Sequence, residues 1–308
     1  MKQEMKEADH VDVGVPNNHY PITYTGRYGP QLRRSIGVVV PTLMNPFFPK
    51  LLSGVAETLQ PAGYYTEVFN AELDAMDLDH LLTRFVPAVQ KGLILCAPKV
   101  TTRIVAEMAQ TTALPYVLTD QADDIPGAAR ISVDDTAGAG QVVDHLVGLG
   151  HKRFAIVCPP QLPFNMATRY RGYLDALARH GIPSKAVTYV SAPLTRAAGE
   201  AAAAQVVRLP SITAIIAIDD DLAIGLLKGL ARLGKRVPQD YSVAGYDNTD
   251  LAAYVTPELT TVNQPVMALG HAVAACILAQ IAGQTPALPA PLPVQLQIRN
   301  STARAKFD

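Results

Sequence analysis

Asp247 closes a short apolar run, Tyr241 to Gly245 followed by Tyr246. An acid just past the C-terminal end of a buried strand is where open α/β sheets hold ligands. Arg169 lies in Phe164-Asn165-Met166-Ala167-Thr168-Arg169-Tyr170, the start of a helix after an apolar strand. Its planar fork can grip two oxygens at once, and Asn165, one turn earlier, can add a further hydrogen bond. Asp219-Asp220-Asp221 follow the run Ala214–Ile218. At least one of the three serves as helix cap or dipole partner. Phe47 and Phe48 open the first helix after the first strand; one ring can enter the core while the other offers a flat apolar face to a ligand. The alternative places both rings in the core.

This is the chemistry of binding. Catalytic signatures fail on spacing. There is no G-x-S-x-G elbow, no H-E-x-x-H and no C-x-x-C. The stretch from Gly229 to Arg236 nearly spells a P-loop, but its glycines fall inside and at the end of a helix, and Arg236 stands where Ser or Thr would hold magnesium. Ala137-Gly138-Ala139-Gly140 opens a helix after a strand, yet Val143 occupies the third glycine position of a dinucleotide fingerprint, so close helix packing is the better reading. His145 and His151 flank a helix end and read as cap or surface groups. No metal and no cofactor are expected.

These residues need a frame, and the pattern supplies one. Short apolar strands alternate with amphipathic helices from residue 36 onward. Strands are expected at Ser35–Val40, Tyr65–Phe69, Gly92–Cys96, Tyr116–Thr119, Ala129–Val133, Arg153–Val157, Val187–Val190, Ala214–Ile218, Tyr241–Ala244 and Val294–Ile298, with a further short extended run at Leu259–Val262. Continuous apolar strands such as Ile36 to Val40 imply a parallel sheet covered on both faces. In the first helix Asn45 can cap, Pro46 suits the first position, and Phe48, Leu51, Leu52, Val55 and Leu59 repeat as one stripe. Gly150, Gly181 and Gly234 read as left-handed C-terminal caps. So many strands exceed one small doubly wound sheet and predict two α/β lobes.

The chain has 308 residues, 49% of them hydrophobic and 17% charged, with a net charge of −1. That length suits two packed lobes at ~150 residues per domain. No strong overall field draws it to DNA or to an anionic membrane. The three cysteines, Cys96, Cys158 and Cys276, read as buried free thiols in a reducing compartment. The N-terminus MKQEMKEADH lacks the apolar core of a signal peptide, and no apolar run approaches the ~20 residues that span a bilayer. The expected location is cytoplasmic.

The segment VAGYDNTDLAAYVTPELTTVNQP (243–265), taken with IGVVVPTLMNPFF (36–48), resembles the LacI/GalR family of bacterial sugar- and nucleobase-sensing transcription regulators. The resemblance runs from Ile36 to about Ala303. It implies a fold of the periplasmic-binding-protein type I kind, with the chain crossing between lobes three times, near Asp134, near Val262 and near Leu288–Pro293. The lobes are then 35–133 plus 263–290, and 134–262 plus 291–308, after an irregular arm at 1–34. It implies an inter-lobe cleft for a small polar effector of the sugar class, lined by Phe47, Phe48, Asp134, Asn165, Arg169, Asp219, Asp247 and Gln264. Asp134 and Gln264 enter because they sit at crossings, Asp134 doubling as a hinge or cap residue. The spacing Arg169-x-x-Gly172-Tyr173 is similar to that of the family's cleft arginine. Asp219 stands where an Asn is usual, and an ionised Asp only accepts hydrogen bonds, which favours hydroxyl-rich or cationic ligands over acids. Leu194 stands where the family is often aromatic, which implies a roomier pocket.

The family further implies a homodimer and a DNA-binding headpiece. The arm at 1–34 shows no helix-turn-helix pattern, and only Arg33-Arg34-Ser35 is similar to the end of the family's hinge. A headpiece-less sugar sensor is therefore the alternative to a regulator. An exported solute-binding protein and an α/β enzyme are further readings, which need a leader and a reactive group respectively.

Overall fold

The structure, a computed structural model, describes residues 34–71, 90–96, 114–120, 125, 128–286 and 288–306. The expected arm at 1–34 falls almost wholly outside them. Among the described residues eleven strands form two sheets. The first has the order β2-β1-β3-β4-β5 and is built from β1 (Ser35–Val40), β2 (Tyr65–Asn70), β3 (Gln90–Leu95), β4 (Tyr116–Thr119) and β5 (Ala129–Ile131). The second has the order β11-β10-β9-β8-β6-β7, from β6 (Phe154–Cys158), β7 (Val187–Ser191), β8 (Ala214–Ala217), β9 (Ser242–Asp247), β10 (Thr260–Asn263) and β11 (Gln295–Gln297). Every pairing is parallel except β10 with β11. This is the two-lobed α/β architecture the apolar pattern predicts, with one antiparallel edge where the chain returns from the other lobe.

Strands β1, β6, β8 and β9 are buried along their whole length, which is why they read as unbroken apolar runs. Helix α1 (Phe47–Leu59) buries Phe48, Leu51, Val55 and Leu59 as one stripe. Its start is set by Asn45, whose side chain accepts the Phe47 N–H at 2.9 Å, and by Pro46, already in helical backbone.

Three connections join the sheets. The first lies between β5 and α2 (Asp135–Gly148). Strand β5 stops at Ile131, short of the expected Val133, because Val133 leaves the sheet to bridge Leu292 on another crossing segment. The second follows β10, which extends to Asn263 because that residue still pairs with Asp247 and Gln295. Asn263 thus belongs to the second sheet, one residue beyond the expected boundary. The third runs from the end of α6 (Val266–Ile281) to β11. Helix α6 buries Val266, Leu269, Val273, Ala274 and Ile277, and it packs on α1 and the first sheet. Gly54 and Gly270 bring the two backbones together: a Cβ on Gly54 would lie 2.4 Å from the Met267 carbonyl oxygen, and one on Gly270 2.5 Å from that of Leu51.

In the second lobe α2 packs on α3 (Phe164–Arg179), and α4 (Arg196–Val206) packs on α5 (Asp220–Arg232). Gly229 lies inside α5, where a Cβ would lie 2.3 Å from the Glu200 carbonyl oxygen; it serves packing and not phosphate. Gly150 and Gly234 take φ of +88° and +69° as C-terminal caps. The three cysteines are buried. His151 is not a surface group. It is buried, with Nδ1 2.8 Å from Thr213 Oγ1 and Nε2 3.0 Å from both Ser242 Oγ and the Ala303 carbonyl, so it ties the C-terminal segment to β9.

Candidate functional site

The carboxyl ends of both sheets face one another, and the singled-out side chains collect there. Arg169, on the first turns of α3, is 1% exposed. Its Nε donates to Asp135 Oδ1 at 3.1 Å, its Nη1 donates to the Ile218 carbonyl at 2.5 Å, and Nη1 lies 3.7 Å from Asp247 Oδ1. The guanidinium also rests 3.5 Å above the Tyr246 ring centre. Burial works against its charge, but Asp135, Tyr246 and Asp247 outweigh burial and hold the group firmly protonated.

Asp247 ends β9 with φ of 114°, and Asn248 follows at φ 52°. A non-glycine residue in left-handed backbone costs about 1–3 kcal/mol and is typical of a ligand clamp. Asp247 is buried and accepts a 2.7 Å hydrogen bond from Gln264 Nε2, which joins the strand end to the second crossing. Burial pushes its carboxyl well above the usual range, with Arg169 pulling the other way.

Asp219 caps α5, its Oδ1 accepting the Leu222 N–H at 2.9 Å. Its Oδ2 is buried with no hydrogen-bond partner, and burial raises its pKa to about 6. Asp220 is structural: it accepts from Thr249 N–H, Thr249 Oγ1 and Thr261 Oγ1, locking the β9–β10 region. Asn165 Nδ2 donates to Asp120 Oδ1 at 2.8 Å, a bond from the second lobe to the first.

Two cavities flank this centre. One, of about 190 Å³, is lined by Asp120, Arg130, Asp134, Asp135, Phe164 and Asn165 among others. The other, of about 340 Å³, is lined by Phe47, Lys50, Ser53, Asp247, Asn248 and Val266 among others. Both draw walls from both lobes.

Phe47 and Phe48 contact edge to face at 5.1 Å between centres. Phe47 reaches the larger cavity, while Phe48 is held in the core and lines neither. Asp134 caps α2 through the Ala137 N–H and forms part of the smaller cavity's wall. Arg169, Asn165, Asp219, Asp247 and Gln264 are all buried; Asn165 lines the smaller cavity and Asp247 the larger, and the other three line neither. Sequence reasoning missed three members. Asp120 comes just after β4 and Asp247 closes β9, so the same strand-end rule finds it; burial raises the Asp120 pKa to about 7. Asp135 sits beside the cap Asp134 but on the inward side of the helix. Tyr246 precedes Asp247 in β9, and only the three-dimensional packing shows it under Arg169. Its hydroxyl also explains Gly138, where a Cβ would lie 2.3 Å away.

Residues 143–302 match the model of the periplasmic binding protein-like domain. HTH-type transcriptional regulator MalR of Streptomyces coelicolor is 30% identical over 88% of this chain and 81% of its own length. The chain belongs to the LacI family of transcriptional regulators. A LacI family regulator from Enterococcus faecium, solved with bound ribose, is 32% identical with a TM-score of 0.82, covering 89% of this chain and all of that one. The transcriptional regulator CelR, solved with cellobiose, is 26% identical with a TM-score of 0.75, over 87% of this chain and 85% of that one. As a LacI-family member the chain is a regulator's ligand-sensing core and not an enzyme. No helix among the described residues is long and apolar enough to cross a membrane.

Proposed function

We propose that the cleft between the lobes binds a small sugar, and that binding sets the angle between the lobes. The observation that carries this reading is the buried Arg169–Asp247 pair at the carboxyl ends of the second sheet, with Phe47 of the other lobe on the cavity beside it. A guanidinium and a carboxylate flank hydroxyl pairs well, and an aromatic ring covers a sugar's C–H face. The ribose and cellobiose in the related structures support a carbohydrate. Arg169, Asp247, Asn165, Asp219 and Gln264 would hold the effector, with Phe47 against it and Asp134 at the hinge.

The lobes in this reading are 35–133 with 264–290, and 134–263 with 291–308, bending at their three connections. A ligand shifts that bending equilibrium only by as much as it favours one angle. In a homodimer the shift would be passed to DNA-binding elements and change operator affinity.

The test is a thermal-shift screen of the chain against monosaccharides, disaccharides, sugar alcohols and purines. A ligand at about 100 times its Kd adds about 2.7 kcal/mol of stability. The shift is expected to vanish in Asp247→Asn and Arg169→Lys. Unchanged affinity in both variants would refute the site. Gel-shift measurements with and without the hit compound separate a DNA-binding regulator from a sensor that leaves DNA alone.

A further inference from the structure

The second lobe's wall of the larger cavity is one stretch of chain, Asp247 to Asp250, where β9 ends and turns. Two of its residues, Asp247 and Asn248, hold left-handed backbone. Neither is glycine, so the turn keeps that conformation only where its surroundings fix it. Asp220 fixes one end by accepting from the N–H and the hydroxyl of Thr249. The other support comes from far along the chain.

Arg299 lies just past β11, half-buried, and lines neither cavity. Its Nη2 donates to Asn248 Oδ1 at 2.7 Å and its Nη1 to the Leu259 carbonyl at 2.7 Å. One guanidinium thus holds both ends of the connection between β9 and β10. Its base is anchored too. The Arg299 N–H donates to Thr260 Oγ1 at 2.9 Å, and Ser301 Oγ donates to the Val243 carbonyl at 2.6 Å. The fork matters, because a lysine is a single point charge and cannot span the two oxygens. The guanidinium also sets polarity. It only donates, so Asn248 turns its oxygen toward Arg299, and its amide nitrogen donates to Asn263 Oδ1 at 2.9 Å. Asn263 is the last residue of β10, at the second crossing. The line from Arg299 through Asn248 to Asn263 therefore joins the C-terminal segment, the cavity wall and a connection between the lobes.

We propose that Arg299 is a positioning residue for the cleft: acting through Asn248, it holds the turn that walls the larger cavity and ties that turn to the second crossing. Its bearing on effector binding rests on the reading of that cavity as part of the sugar site; its hold on the turn does not.

The experiment is hydrogen exchange of the full chain without ligand, comparing native protein, Arg299→Gln, Asn248→Gly and the double variant. Glycine accepts the positive φ, so Asn248→Gly removes the side chain without adding strain. Each single variant is expected to speed exchange at the amides of residues 248 and 249 about 10-fold, with the amides of β6 and β8 within about twofold of native. The double variant is expected to exchange no faster there than Asn248→Gly alone, because both substitutions remove one bond. Effects that multiply overturn the proposal by separating Arg299 from Asn248. An equal rise in β6 and β8 overturns it by making Arg299 a general stabiliser. Where Arg299→Gln fails to fold, Arg299→Lys carries the same comparison, since it keeps the charge and loses the fork. Calorimetric titration with ribose and cellobiose then reads the cleft. For a sugar that binds the native chain, Arg299→Gln is expected to weaken Kd about 10-fold, and an unchanged Kd overturns the positioning role. Binding of neither sugar counts against the sugar reading, while the exchange cycle still decides the role of Arg299.

Discussion

At Asp247 two demands meet in one residue: a carboxylate for the cleft, and left-handed backbone that only glycine adopts without cost. They separate by substitution. Asp247→Gly and Asp247→Ala both lose the carboxylate, yet the glycine variant is expected to be about 1 kcal/mol more stable, because it alone relieves the positive φ. Urea unfolding of the two variants reads the difference, and equal stabilities would show that the backbone there is unstrained. His151 carries a different residue-scale expectation. Burial holds its pKa below the ordinary 6.5. The folded state therefore binds fewer protons than the unfolded state near that pH, and the contribution of His151 is full above 6.5 and lost as pH falls through its folded value. The raised carboxylates at Asp120 and Asp219 act in the opposite sense, so the comparison must be differential. The stability gap between the native chain and His151→Gln should shrink as pH drops from about 7.5 to 5. A gap that holds constant would show that His151 titrates as if exposed.

Among the elements, the closest backbone approaches are made by glycines distant in sequence. Gly54 and Gly270 seat α1 against α6, and neither position leaves space for a methyl group. Gly270→Ala is expected to cost about 1–3 kcal/mol by forcing the helices apart. Gly148, at the exposed end of α2, has nothing within 4 Å of an added Cβ, and Gly148→Ala should be neutral or stabilising by up to about 1 kcal/mol. Thermal melts of the pair decide it: equal effects would mean helix propensity, not packing, governs both sites. The contrast matters for function, because α6 carries Val266 onto the cleft and α1 carries Phe47 there. Their seating sets where the first lobe's wall stands.

For the molecule as a whole, side-chain contacts among the described residues reach from one lobe to the other. Asn165 reaches Asp120, Arg130 stacks on Phe164, and Lys50 faces Asp250. The last pair is exposed and long, so it contributes little. The stacking of Arg130 on Phe164 is worth about 0.5–1 kcal/mol to the closed arrangement. Phe164→Leu should therefore weaken effector binding about 2- to 5-fold with the global melting temperature of the unliganded chain nearly unchanged. Titration with the hit from the sugar screen checks this, and an unaltered Kd would remove the stack from the closing contacts.

The alternation of buried strands and striped helices was legible residue by residue, because burial on both faces leaves an unbroken apolar run and a helix against a sheet leaves a period of 3.6. Glycine at φ above zero and Asn45 ahead of α1 were legible for the same local reason. The cleft was partly legible, since a strand's end announces itself: Arg169, Asp219 and Asp247 follow apolar runs, and Asp120 could have been found by that rule. Only the tertiary structure decided which acid beside a cap turns inward, as Asp135 does next to Asp134, and that Tyr246 lies beneath Arg169. It also decided that His151 is buried under the C-terminal segment and that α6, far along the chain, packs on α1. Those facts depend on contacts between residues more than 30 positions apart, and no local period or spacing records them.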